Sequence, residues 1–117
     1  PAELAEAGVP QEVIAAAVAA RRAEAVKAEC KRRIYAALSA ETQMNMTAAA
    51  AAISAKAANS RSEEEKQILA ALTEALGWVD AMRTRAAELA ADKDADYTSA
   101  DAWPEVPPAV ADVAARF

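Results

Sequence analysis

Residues 62–91 read SEEEKQILAALTEALGWVDAMRTRAAELAA, and this stretch decides the fold. Ser62 followed three places later by Glu65 is the pattern of a capping box, where each side chain takes up the other residue's backbone N–H at a helix start. Glu63 and Glu64 add negative charge where the helix dipole favours it. Behind that start, Ile68, Leu72, Ala75, Val79, Met82, Ala86 and Leu89 recur at steps of four and three, over about three heptads. Leu69 and Leu76 widen the apolar face on one flank and Trp78 on the other. That breadth suits the centre of a bundle better than a narrow two-helix seam. Gly77 falls on the outer side, where it costs about 1 kcal/mol relative to Ala. The spacing predicts a long central helix, 62–91, as the spine of the domain.

Upstream, residues 1–9 form a lead-in, and Pro10 suits a first helical turn, where its missing N–H is no loss. A helix over 10–38 carries Ile14, Val18, Val26, Cys30, Ile34 and Leu38. Steps of four advance by about 40° each, so this stripe winds around the helix. Arg22 occupies the missing member of the series. One flat partner cannot cover a winding stripe, so Val13, Ile14, Ala17 and Val18 are expected at a subunit or partner interface. Ser39 offers an N-cap oxygen to a second helix over 40–57. Met46, Ala50, Ile53 and Ala57 form its expected inward line. The five alanines Ala48–Ala52 predict close backbone approach on several sides, with Met44 and Met46 filling the gaps at the end. Gln43 and Asn45 suggest an amide hydrogen bond closing the first helix on the second; the alternative for the pair is a polar contact to another protein, and Asn45 is the expected interface residue.

Downstream, DKDADYTSADAWPEV (92–106) breaks the periodicity and reads as an acidic loop anchored by Tyr97 and Trp103. Pro107 and Pro108 can open a short final helix, 107–117, with Val110, Val113, Ala114 and Phe117 on one face. Asp92, Asp94 and Asp96 have the 1-3-5 spacing of an EF-hand. Tyr97 stands where that loop requires Gly, and Trp103 where it requires the closing Glu, so the turn and the last ligand both fail.

The composition agrees with an all-α class: a small bundle of three main helices plus a short C-terminal helix. Of 117 residues, 55% are apolar, with aromatics at 4% and Gly only twice. Ala, the strongest helix former, supplies much of the apolar share, and no run alternates like a half-buried strand. The net charge of −5 argues against non-specific nucleic-acid binding. Positive charge is concentrated at Arg21, Arg22, Lys27, Lys31, Arg32 and Arg33, a solvated face with which the acidic loop is expected to attract. Cys30 is the lone cysteine and His is absent, which removes an internal disulfide and the usual base or metal partner. No span approaches the roughly 20 apolar residues a membrane helix needs, and no signal-peptide pattern opens the chain. No catalytic, cofactor-binding or metal-ligating residue is expected.

The run Lys31–Arg83 resembles a helical segment of bacteriophage and prophage proteins, where it forms the C-terminal end of tail-fibre-like or other tail-associated polypeptides. The residues carrying the likeness are Arg32-Arg33-Ile34, Gln43-Met44-Asn45-Met46, the helix start at Ser62, Glu64 and Glu65, and Trp78 followed by Arg83. The closing AWPEVPPAVADVAARF is similar to the end of such proteins as well. The resemblance implies a non-enzymatic virion component, tail- or fibre-associated. Its partners would be other virion proteins or copies of itself, and it would reside in host cytoplasm before assembly. A cytoplasmic assembly chaperone or adaptor is the rival expectation, a capsid-decorating protein a third, and a nucleic-acid-binding regulator the outsider.

Overall fold

A computed structural model describes residues 10–117. Among these residues four α-helices follow one another: α1 (Gln11–Ala37), α2 (Ala40–Ser54), α3 (Glu63–Ala91) and α4 (Pro108–Ala114). Two single 3₁₀ turns, Ala58–Ser60 and Ala100–Ala102, lie in the connections, and no strand occurs among the described residues. The fold is all-α.

The ends are set by local chemistry. Ser62 Oγ accepts the Glu65 N–H at 3.1 Å, and Glu65 Oε1 accepts the Ser62 N–H at 2.9 Å, closing the capping box. Ser39 Oγ accepts the Thr42 N–H at 3.0 Å and starts α2. Pro107 and Pro108 open α4. α2 stops at Ser54, three residues short of the expected 57. Asn59 and Ser60 disfavour helix interiors, and Arg61 donates to the carbonyls of Ser54 (3.4 Å) and Lys56 (3.1 Å), drawing the chain into a turn. Ala57 is therefore extended and exposed, not on the inward line.

α3 is the spine, since α1, α2 and α4 all pack on it. Arg22 of α1 meets Leu89 of α3, whereas Leu38 and Met46 meet Leu72 and Ala75. α1 and α3 therefore run antiparallel and staggered, and α2 continues along the earlier half of α3. After Ala91 the chain turns back: Pro104 reaches Trp78, and Arg116 reaches Glu64 at 3.5 Å. The segment 92–117 thus retraces α3 from its C-terminal end to its start. The expected small bundle is drawn out into a rod of 70 × 24 × 19 Å. Its Cα radius of gyration is 19.9 Å, against about 13 Å for a compact chain of this length.

The core follows the stagger. Val26, Cys30, Ile34 and Leu38 of α1 and Met46 of α2 pack against Ala71, Ala75, Trp78, Met82 and Leu89 of α3. Trp103, Val110 and Val113 of the tail complete the cluster. Within Ala48–Ala52 only Ala50 is buried, at 5% exposure. Ala48, Ala51 and Ala52 face solvent and Ala49 is half-buried, so the alanine run is crowded on one side rather than several. A 3.6-residue repeat facing a single neighbour buries Met46, Ala50 and Ile53 and leaves the rest outside. Met44 (66% exposed) and Leu76 (64%) were expected to fill gaps and widen the core, yet both lie in solvent. α4 ends at Ala114, and Phe117 is exposed beyond it while Val110 and Val113 are buried.

Candidate functional site

The paired helices α1 and α3 present two faces, and the sequence treats them differently. On one face the tail is clasped by arginines. Arg22 donates from Nε to the Leu89 carbonyl (3.0 Å) and from Nη2 to the carbonyls of Asp92 (2.6 Å) and Ala95 (2.7 Å). Its guanidinium lies 5.2 Å from the centre of the Tyr97 ring. Arg33 reaches the Thr98 carbonyl (2.9 Å) and sits 5.8 Å from the Trp103 ring centre. Arg85 donates to the Ala102 carbonyl at 2.7 Å. Two indoles add their N–H groups: Trp78 to Pro104 O (3.2 Å) and Trp103 to Tyr97 O (2.7 Å).

This clasp works on backbone, not on side-chain charge. The expected attraction was between basic helix and acidic loop, but among the described residues no ion pair involves a carboxylate of 92–106. An irregular segment has carbonyls without secondary-structure partners, and these need donors when covered. The carboxylates stay in water and avoid desolvation. Arg22 also closes the carbonyl end of α3, which lacks the glycine that commonly terminates helices, and places positive charge at the negative pole of the helix dipole. The gap in the apolar series of α1 is thus filled by the residue that holds the turn after α3.

Two tail aspartates are committed to local turns. Asp92 Oδ1 accepts the Asp94 N–H (3.1 Å), and Asp96 Oδ1 accepts both the N–H and hydroxyl of Thr98 (2.9 and 2.5 Å). Those Thr98 bonds hold the Asp96 carboxyl below the usual carboxylate range. Among the described residues no three His, Cys, Asp or Glu side chains gather as a metal site. On α1, Glu29 is gripped by Arg32 (2.7 Å) and Arg33 (2.8 Å). The Arg32 hydrogen bond, more than the two nearby positive charges, pushes its pKa down. Cys30 is buried as a small apolar side chain, and that burial raises its thiol pKa.

The opposite face of α1 and α3 is open. A groove of about 530 Å³ runs between the helices, with Val26, Cys30 and Ile34 in its floor. Lys27, Lys31 and Tyr35 of α1 border it on one side, and Arg83 and Ala87 of α3 on the other. Lys31 Nζ lies 5.9 Å from the Tyr35 ring centre. Among the described residues, no ion pair uses Lys27, Lys31 or Arg83.

The sequence-expected interface residues fall elsewhere. Val13 (55%) and Val18 (49%) are exposed near the start of α1, Ala17 is half-buried, and Ile14 is buried outside the main apolar cluster. Asn45 lies on α2, separated from them by most of α1, about 35 Å at the helical rise. It is exposed, and of the two amides expected to close the helices Gln43 makes the bond, to the Leu38 carbonyl at 2.7 Å. The sequence hides the groove, because Lys27, Lys31 and Tyr35 each look like ordinary surface residues. Their i, i+4, i+8 spacing beside the apolar series was the available signal. No protein-family model matches the chain, and no curated protein matches it either. No helix of the described residues is long and apolar enough to cross a membrane.

Proposed function

We propose that this chain is a non-catalytic interaction module of a bacteriophage or prophage particle, tail- or fibre-associated, acting by helix packing against neighbouring subunits. The likeness of Lys31–Arg83 to helical segments of such proteins supports the origin. The observation that carries the mode of action is the unequal treatment of the two faces of the α1/α3 pair. One face is filled by the chain's own tail, while the other leaves an apolar groove bordered by cations that enter no ion pair among the described residues. Val13, Val18, Met44 and Leu76 add exposed apolar area along the rod.

Quantitative mass spectrometry of purified particles tests the origin: the chain is expected in fixed stoichiometry with tail proteins. Its absence from finished particles, with abundance in infected cells, would contradict the structural-component reading. That outcome would favour an assembly adaptor, for which an open groove with no permanent occupant is equally suited.

A further inference from the structure

We propose that the open groove between α1 and α3 docks an acidic amphipathic helix supplied by another protein. The inference rests on the interaction-module reading above for the existence of a partner, and not on the partner being a virion protein.

The shape favours a helix. The groove follows two antiparallel helices, and beyond Val79 and Arg83 its α3 side is alanine (Ala86, Ala87 and Ala90), which lets a third helix axis come within the 8–10 Å typical of packed helices. The buried floor residues Val26, Cys30 and Ile34 repeat at i, i+4, i+8, the spacing that accepts anchors at i, i+3/i+4 and i+7 of an incoming helix.

Charge selects the partner. The lining contains Lys27, Lys31 and Arg83 and no carboxylate; Glu24 and Asp80 lie three positions before Lys27 and Arg83, outside the lining. On the tail face Arg22, Arg33 and Arg85 are all engaged with tail carbonyls, whereas the groove-side cations enter no ion pair among the described residues. Glutamates flanking an apolar stripe would meet these cations while the stripe covers the floor. A second copy seated by the same face would set Lys27, Lys31 and Arg83 against their own counterparts, a like-charge arrangement that specific interfaces avoid. A nucleic-acid strand would gain phosphate contacts, but it would meet an apolar floor with Tyr35 as the lone aromatic, in a chain of net charge −5.

The test uses the full chain, isotope-labelled, and a designed three-heptad peptide with leucine at its core positions and glutamate flanking them. Saturable shifts of the Val26, Cys30, Tyr35 and Ala87 resonances are expected. The affinity should fall at least tenfold in the double variant Lys27→Glu/Lys31→Glu and in high salt, with the variant's melting temperature unchanged because both side chains are exposed. The same peptide with lysine for glutamate should bind the unaltered chain at least tenfold more weakly and regain affinity for the double variant. Equal binding of the two peptides, or shifts confined to the Trp103 face, would overturn the proposal. So would groove shifts that grow with protein concentration alone, or that follow removal of residues 1–9, since each gives the groove to another occupant. Tighter binding of single-stranded DNA at the same resonances would overturn it too. Absence of the chain from particles leaves this measurement standing, and failure of the peptide leaves particle membership standing.

Discussion

Arg22 shows how much one side chain can organise. Its three carbonyl acceptors belong to the end of α3 and to the turn that sends the tail back. Charge-assisted hydrogen bonds contribute about 1.5–3 kcal/mol, so Arg22→Ala should lower stability by about 2 kcal/mol in urea titration and raise hydrogen exchange first in 92–106. Arg22→Lys should recover less than half of that, because a point ammonium cannot fork to separated acceptors as a guanidinium does. Ala50 and Ala51 make a second contrast. Leucine at buried position 50 forces overpacking and should cost about 1–3 kcal/mol. At exposed position 51 the same change should stay within about 0.5 kcal/mol. Equal losses at both would mean that α2 is crowded on both sides after all. Glu29 adds a pH dependence. Its pKa is held below the usual range, chiefly by the Arg32 hydrogen bond, so its stabilisation is present above the unfolded glutamate value of about 4.3. That contribution is lost as pH falls through the depressed folded value. The acid limb of a melting-temperature profile should therefore flatten in Glu29→Gln, and an unchanged limb would show that the two arginines do not stabilise the folded charge.

Gly77 sits in the middle of α3 with nothing within 4 Å of the position a Cβ would take. Gly77→Ala should stabilise the protein by about 1 kcal/mol, read as a raised denaturation midpoint at constant slope. The helices themselves were legible because periodicity and caps are local: Ser62/Glu65, Ser39 and Pro107–Pro108 mark starts, and Met82, Leu89 and Val26 fall on their stripes. What the local pattern could not carry was which face meets which neighbour. Leu76 and Met44 are apolar residues beside a stripe, and both lie on the solvent side of their helices. Arg22 could be seen as an interruption of the stripe, but its role depends on a contact 67 residues away. The loop's charge was misleading in a similar way, since composition records carboxylates, while the clasp uses carbonyls that every residue owns. The end of α2 was set by Arg61, again a reach across a turn rather than a propensity of the alanines.

The whole molecule is a rod because each helix covers only part of α3: α1 one end, α2 and α4 the other, with the tail threaded along the full length. This arrangement spends the basic side chains of one face on the chain's own backbone, and the described residues leave the other face unfilled. Solvent paramagnetic relaxation with a neutral gadolinium chelate reads both faces in one experiment on the methyl-labelled protein. Strong attenuation is expected at the Ala23 and Ala87 methyls of the groove rim, with Met82 and Leu89 spared beneath the tail and Val110 spared on its inner side. Equal attenuation on the two faces would mean that the tail is not docked, and equal protection would mean that the groove is already filled; either result contradicts a rod with one closed and one open face.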